Sequence, residues 1–382
     1  MNSVKLFTII TLIIAGLLAG CQNKPTKSNF DSSGTEFGFE PPPVWSGSMQ
    51  NLKRHLVNLE PYIFDKEKFN AVESEAVLIK EIHGLAVESS YVKHDPAIAT
   101  KDPTVKFVAS QFAEELQQAD QNFKGGWKDY SRSQLMKVTS YCVECHTRLR
   151  QGPEFQTDSK SNYVSTLSRR NQIELFIAFR EFDKAFSLSL ESVRPESTFI
   201  QKESDIYAVA RLGLQVAVQF QQNITKTGLL LSTIDKNKSI PRYLKLANDR
   251  WKISIQHWNP DTNLRSLSEI RELIKNRHSE IDDMRAIAAL LTYLTSPIQE
   301  QELGEALLLT GESYERLNGV STLALQDNYY EACVRKAPKT KWGKKCFNNL
   351  ENSVRSSYSG LSKIGLPQDV KKKLDQLKKQ LE

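Results

Sequence analysis

Apolar side chains recur at steps of three and four along almost the whole chain, and no stretch alternates residue by residue as a half-buried strand does. Met49, Leu52, Leu56, Leu59 and Ile63 make a first stripe, and Val72, Ile79, Ile82 and Ala86 a second. Val105, Val108, Phe112, Leu116 and Ala119 make a third, and Leu135, Val138, Cys142, Cys145 and Leu149 a fourth. Between them stand the breakers Asp95-Pro96, Asp102-Pro103 and Gly125-Gly126. Four amphipathic helices with short breaks predict an antiparallel four-helix bundle over residues 46–152, and about 105 residues suffice for one such core.

The first residues are of another kind. Lys5 precedes the apolar run Leu6–Leu18, which is too short to span a bilayer as a mature helix and reads as a signal peptide over residues 1–20. It closes on Leu18-Ala19-Gly20-Cys21, which resembles the bacterial lipobox. The resemblance implies cleavage before Cys21 and lipid on its thiol and new amino end. Gln22 stands where many inner-membrane lipoproteins carry Asp, so the expected location is the periplasmic side of the outer membrane, lipid-anchored. Residues 21–45, rich in Ser, Gly, Asn and Pro, read as a tether, stiffer at Pro41-Pro42-Pro43.

Candidate chemistry concentrates in the fourth stripe, in Cys142-Val143-Glu144-Cys145-His146. Two thiols three residues apart share one face of a helix, and the next residue falls near that face. That arrangement suits bonding both vinyl groups of a heme while an imidazole approaches its iron. A thioredoxin-like redox pair needs a βαβ setting that the flanks do not offer, and a zinc site needs a second ligand pair that does not follow. A disulfide between the two cysteines leaves His146 without a role. One covalent heme c is the expectation.

The run from Cys142 to Arg150 resembles the end of a class II c-type cytochrome, the cytochrome c-prime group, and the related four-helix b-type cytochromes. The resemblance covers residues 46–152. It implies an up-down bundle with His146 as proximal ligand near the end of the fourth helix and Arg150 near the heme edge. The mitochondrial-type class places its motif early with an axial Met downstream, whereas the only methionine after His146 is Met284. In an antiparallel bundle the start of helix one lies beside the end of helix four, which puts Met49 level with His146 as sixth ligand. The run Met49–Leu56 also resembles the helix that brings the axial Met in low-spin members, whereas gas-binding members block the iron with an apolar side chain. Met136 shares a helix with His146 and cannot serve. A core role for Met49 is the competing reading, and His55 and His83 are rival ligands of a type more often hydrogen-bonded structurally.

After a polar linker at 153–163, residues 164–382 remain helical. Glu181-Phe182-Asp183-Lys184-Ala185 resembles the turn into the second helix of a tetratricopeptide unit, and Gly311, Tyr314, Ala324, Tyr330, Ala332 and Pro338 resemble a more complete one. The resemblance implies a helical-hairpin solenoid and a docking surface. Cys333 and Cys346 flank the turn Ala337-Pro338-Lys339-Thr340, where antiparallel helices bring them within disulfide reach. A disulfide is expected there in an oxidising compartment, with two buried thiols as the alternative. A terminal helix over Gln368–Leu381 carries Lys371-Lys372-Lys373 and Lys378-Lys379, a basic face that is either solvated or attracts an acidic partner.

The net charge of +6 is modest for 382 residues, and no nucleic-acid partner is expected outside the membrane. No paired carboxylates, nucleophile elbow or phosphate loop marks substrate chemistry, and no enzyme is expected. The whole reads as an all-α, membrane-anchored cytochrome c with single-electron transfer to a periplasmic redox partner. A heme-based gas sensor, or an interaction scaffold with a structural heme, are the alternatives.

Overall fold

Helices supply the regular structure, and no strand occurs among the described residues. The computed structural model describes residues 43–94, 103–146, 164–195, 197, 203–259, 264–317, 325–358, 366 and 368–382. The signal peptide, most of the tether, Cys21, the linker at 153–163, Ala324, Leu149 and Arg150 lie outside the described residues. His146 ends a described helix, but its side chain is not among those described. Everything described belongs to one compact unit. No described helix is long and apolar enough to cross a membrane.

The N-terminal region contains α1 (Pro43–Ile63), α2 (Lys66–Asn70), α3 (Glu75–His94), α4 (Pro103–Lys124), α5 (Lys128–Leu135) and α6 (Val138–His146). Proline opens both α1 and α4, where its missing N–H costs nothing. Because α1 begins at Pro43, Met49 sits in its second turn rather than its first. The predicted stripes of α1 and α4 are buried: Leu52, Leu56, Leu59 and Ile63 on one, Val105, Val108, Phe112, Leu116 and Ala119 on the other.

The second stripe is offset. Val72 lies in a short 3₁₀ turn before α3 and is 79% exposed, and Ile79 is 40% exposed, while Leu78, Ile82, Leu85 and Ala86 fill the core. The fourth stripe is broken. A tight turn at Met136–Lys137, closed by the Lys137 amide donating to the Gln134 carbonyl at 3.0 Å, separates α5 from α6. Leu135 and Val138 are buried on either side of it, and Met136 is 43% exposed. The turn re-aims α6 after α5 has packed on α4.

Close approach of α1 and α3 is set by Gly84, where an added Cβ would stand 2.3 Å from the His55 ring. His55 is buried there, its Nδ1 2.6 Å from Glu81 Oε2. His83 is paired with Asp120 at 3.1 Å. Both histidines have the structural partners expected of a hydrogen-bonded role.

The C-terminal region runs through α7 (Arg169–Ala178), α8 (Phe182–Ser192), α9 (Glu203–Leu214), a π-helical turn (Gln215–Phe220), α10 (Ile224–Lys236) and α11 (Arg242–Gln256). It continues through α12 (Leu267–Lys275), α13 (Glu280–Tyr293), α14 (Glu300–Arg316), α15 (Leu325–Lys336), α16 (Lys341–Tyr358) and α17 (Gln368–Lys379). Arg180, at φ 61°, turns the chain between α7 and α8. Capping boxes, Ser266 with Glu269 and Ser279 with Asp282, start α12 and α13.

Helix α13 is buried continuously from Ile281 to Leu291. Its charges are satisfied from neighbouring elements: Asp282 accepts from Ser254 Oγ at 2.6 Å, Arg316 pairs with Asp283 at 2.7 Å, and Arg285 stacks 4.6 Å from the Trp258 ring centroid. Helices α14 and α15 pack where Gly311 faces Tyr330, and a Cβ on Gly311 would stand 2.5 Å from that ring. On the hairpin of α15 and α16, Cys333 and Cys346 are placed at disulfide distance, with Cα atoms 6.1 Å apart. Leu374 and Leu377 bury the inner face of α17, and Lys373 pairs with Glu331 at 2.7 Å. The two regions join where α6 packs on α7 and α4 touches α15.

Candidate functional site

Helix α6 packs closely on α4 and α7, but α1 and α6 are not among the closely packed helix pairs. The space between them is an apolar cleft of about 690 Å³, counting the part open to solvent. From α6 come Val138, Tyr141, Cys142 and Cys145, and from α1 come Met49, Leu52, Lys53 and Leu56. The floor is built by Leu85 and Val92 of α3 and by Val105, Ala109 and Phe112 of α4. Ala178 and Phe179, from the end of α7, close one side.

The three-residue step between Cys142 and Cys145 puts both sulfurs on the cleft wall, as the helical period requires. Both carry thiols, not a disulfide. Cys142 keeps some exposure as a residue, yet the apolar atoms around its sulfur push the thiol up to about 12, with the neighbouring Cys145 adding to the shift. A dithiol used for redox exchange needs the opposite, a lowered pKa in an electropositive setting. Tyr141 is buried beside it, its ring 5.9 Å from Phe112, and burial pushes its phenol up to about 12 as well.

Met49 is half-buried and faces the same cleft as the thiols, so the structure brings three of the expected site residues together. His55 and His83, the rival histidines, are not among the described residues that line the cleft. Nothing is described of the His146 side chain or of Arg150. Among the described residues, no group of three or more His, Cys, Asp or Glu side chains converges as a metal site.

Sequence reasoning missed Lys53, Ala178 and Phe179. Lys53 stands one turn after Met49 on α1, is the one charged side chain among the described lining residues, and holds its Nζ 6.0 Å from the Phe179 ring centroid. The i, i+4 spacing from Met49 was a usable signal for Lys53. No local pattern announces Ala178 and Phe179, because they come from beyond the linker.

Comparison of the chain with protein families, curated proteins and solved structures found no match.

Proposed function

We propose that this protein is a periplasm-facing, lipid-anchored cytochrome c whose single covalent heme occupies the cleft between α1 and α6 and serves one-electron transfer. The observation that carries the reading is the convergence of both thiols of Cys142-Val143-Glu144-Cys145-His146 with Met49 on one apolar cleft. The residues suit the group. A flat apolar macrocycle matches walls made of Leu, Val, Ala and Phe, and a gap between two helices suits a flat insert better than a filled core does.

The heme, when bound, supplies reversible one-electron chemistry at its iron. Cys142 and Cys145 would anchor it through thioether bonds, and His146 and Met49 would ligate its iron. Lys53 would meet a carboxylate at the rim, where its charge remains close to water. The apolar walls offer water few hydrogen-bond partners in the cleft, and Tyr141 remains a neutral phenol. In this reading the N-terminal helices form the four-helix bundle, α5 and α6 together making its fourth helix. The helical hairpins from α7 onward act as a solenoid-like docking surface for a redox partner.

Denaturing electrophoresis of the periplasmic form with a peroxidase stain tests the attachment, which survives denaturation when thioether bonds are present. A protein band without stain defeats the proposal. The absorption spectrum of the purified protein should be low-spin with a methionine-to-iron band, and Met49→Leu should remove that band and admit carbon monoxide. A high-spin wild-type spectrum would move the reading to gas binding.

A further inference from the structure

One wall of the cleft comes from outside the N-terminal helices. Ala178 and Phe179 are the described lining residues that lie beyond the linker. The turn after α7 fixes how they are presented. The Arg180 amide donates to the Ile177 carbonyl at 2.9 Å and the Glu181 amide to the Phe176 carbonyl at 2.8 Å, the double closure of a Schellman turn. Such a turn needs a left-handed residue, usually glycine, and here Arg180 takes that role at φ 61° with its guanidinium 5.7 Å from the Phe182 ring centroid. Backbone strain of this kind persists only where surrounding structure holds it, and it clusters at functional sites. Phe179 is the residue the turn sets in place. It caps α7, is 4% exposed, and has Lys53 Nζ of α1 6.0 Å from its ring centroid. Helices α1 and α7 are not among the closely packed pairs, so between them the cleft is bounded by side chains rather than by helix packing.

We propose that the C-terminal region completes the heme site, with Phe179 as the residue that limits the access of water and small ligands to it. The proposal rests on the heme reading of the cleft. It gives the region from α7 onward a part in the site itself, beside any docking surface it offers. The apolar shell around a heme sets how much water and what dielectric the iron meets, and through them its potential. Ferric heme carries one more positive charge than ferrous heme and gains more from water. Removing the Phe179 ring should therefore favour the ferric form and ease the approach of an added ligand to the iron.

The test uses the purified, heme-loaded full chain, equilibrated with a redox mediator and, in the ferric state, titrated with imidazole. Phe179→Ala should shift the ferric-to-ferrous ratio about tenfold toward ferric at a fixed mediator potential and tighten imidazole binding about tenfold. Phe179→Leu, which keeps an apolar side chain, should move both in the same direction by about threefold. Phe186→Ala is the control: Phe186 is buried on α8 but is not among the described lining residues, so its loss should lower the melting temperature and leave both readouts unchanged. Heme-loaded Phe179→Ala with wild-type potential and imidazole affinity overturns the proposal and leaves the heme reading standing. Equal shifts in Phe186→Ala also overturn it, because they mark a general loosening. A wild-type chain that carries no heme ends the heme reading and the proposal with it. If Phe179→Ala does not fold, Phe179→Leu decides: unchanged potential and imidazole affinity in that variant overturn the proposal.

Discussion

The two regions of this chain use helices of similar composition to opposite ends. In the C-terminal region the centre is occupied by a helix. Every residue of α13 from Ile281 to Leu291 is buried, and its aspartates and arginine find partners on surrounding elements. Contacts there are as tight as backbone allows, as where Gly311 meets the Tyr330 ring. In the N-terminal region α1 and α3 are equally close at Gly84 and His55, yet between α1 and α6 the packing opens into an apolar cleft. The opening is therefore local rather than a sign of loose packing, and it falls where the two thiols are. Protein interiors rarely leave apolar space unfilled, since each void forfeits dispersion contacts. In the proposed reading, the cleft beside the Cys-x-x-Cys helix is where the heme would complete the core.

The largest expected effect tests that contrast directly. Replacing Cys142 and Cys145 together with Ala should abolish heme attachment and destabilise the N-terminal region selectively, because the insert that fills the cleft is lost. Hydrogen exchange should show lost protection in α1, α3, α4 and α6 and unchanged protection in α13 and α14. Uniform loss across both regions would mean that the cleft is not specially dependent on an insert.

Next in size is the hairpin of α15 and α16. Replacing Cys333 and Cys346 with Ala should cost about 3 kcal/mol in urea unfolding, the chain-entropy value for a loop of 13 residues. The loss should fall on the C-terminal region, with the heme spectrum unchanged. No change in stability would show that the two cysteines remain thiols in the native protein.

The last effect depends on pH and concerns Glu60, on α1. It is 3% exposed, its Oε1 has no hydrogen-bond partner, and burial pushes its carboxyl up to about 8. Native Glu60 therefore binds its proton more tightly than the unfolded chain does, so its ionisation should lower stability progressively as pH rises from about 4.5 to about 8. Glu60→Gln should flatten that decline while leaving stability near pH 4 little changed. A decline that persists in Glu60→Gln would assign it to other groups.

The sequence by itself determined the all-helical class, the faces of α1 and α4, and the pairing of Cys142 with Cys145 on one side of a helix. Periodicity suffices for these, since a 3.6-residue repeat dictates which side chains share a face whatever the neighbours are. The turn near Ala337–Thr340 likewise brought Cys333 and Cys346 together, because antiparallel helices leave a short hairpin little choice of register. Tertiary structure decided what local pattern cannot carry. It displaced Val72 and Ile79 from the second stripe: Val72 falls in the 3₁₀ turn before α3, and Ile79 lies off the face on which α3 sets Gly84 against His55. It cut the fourth stripe at Met136–Lys137, where α5 had to satisfy α4 and α6 had to face α7. It also brought Phe179 and Lys53 to one cleft from opposite sides of the linker. Contacts between residues far apart in the chain depend on how helices dock, and docking is fixed by the shapes of whole faces rather than by any short run of sequence.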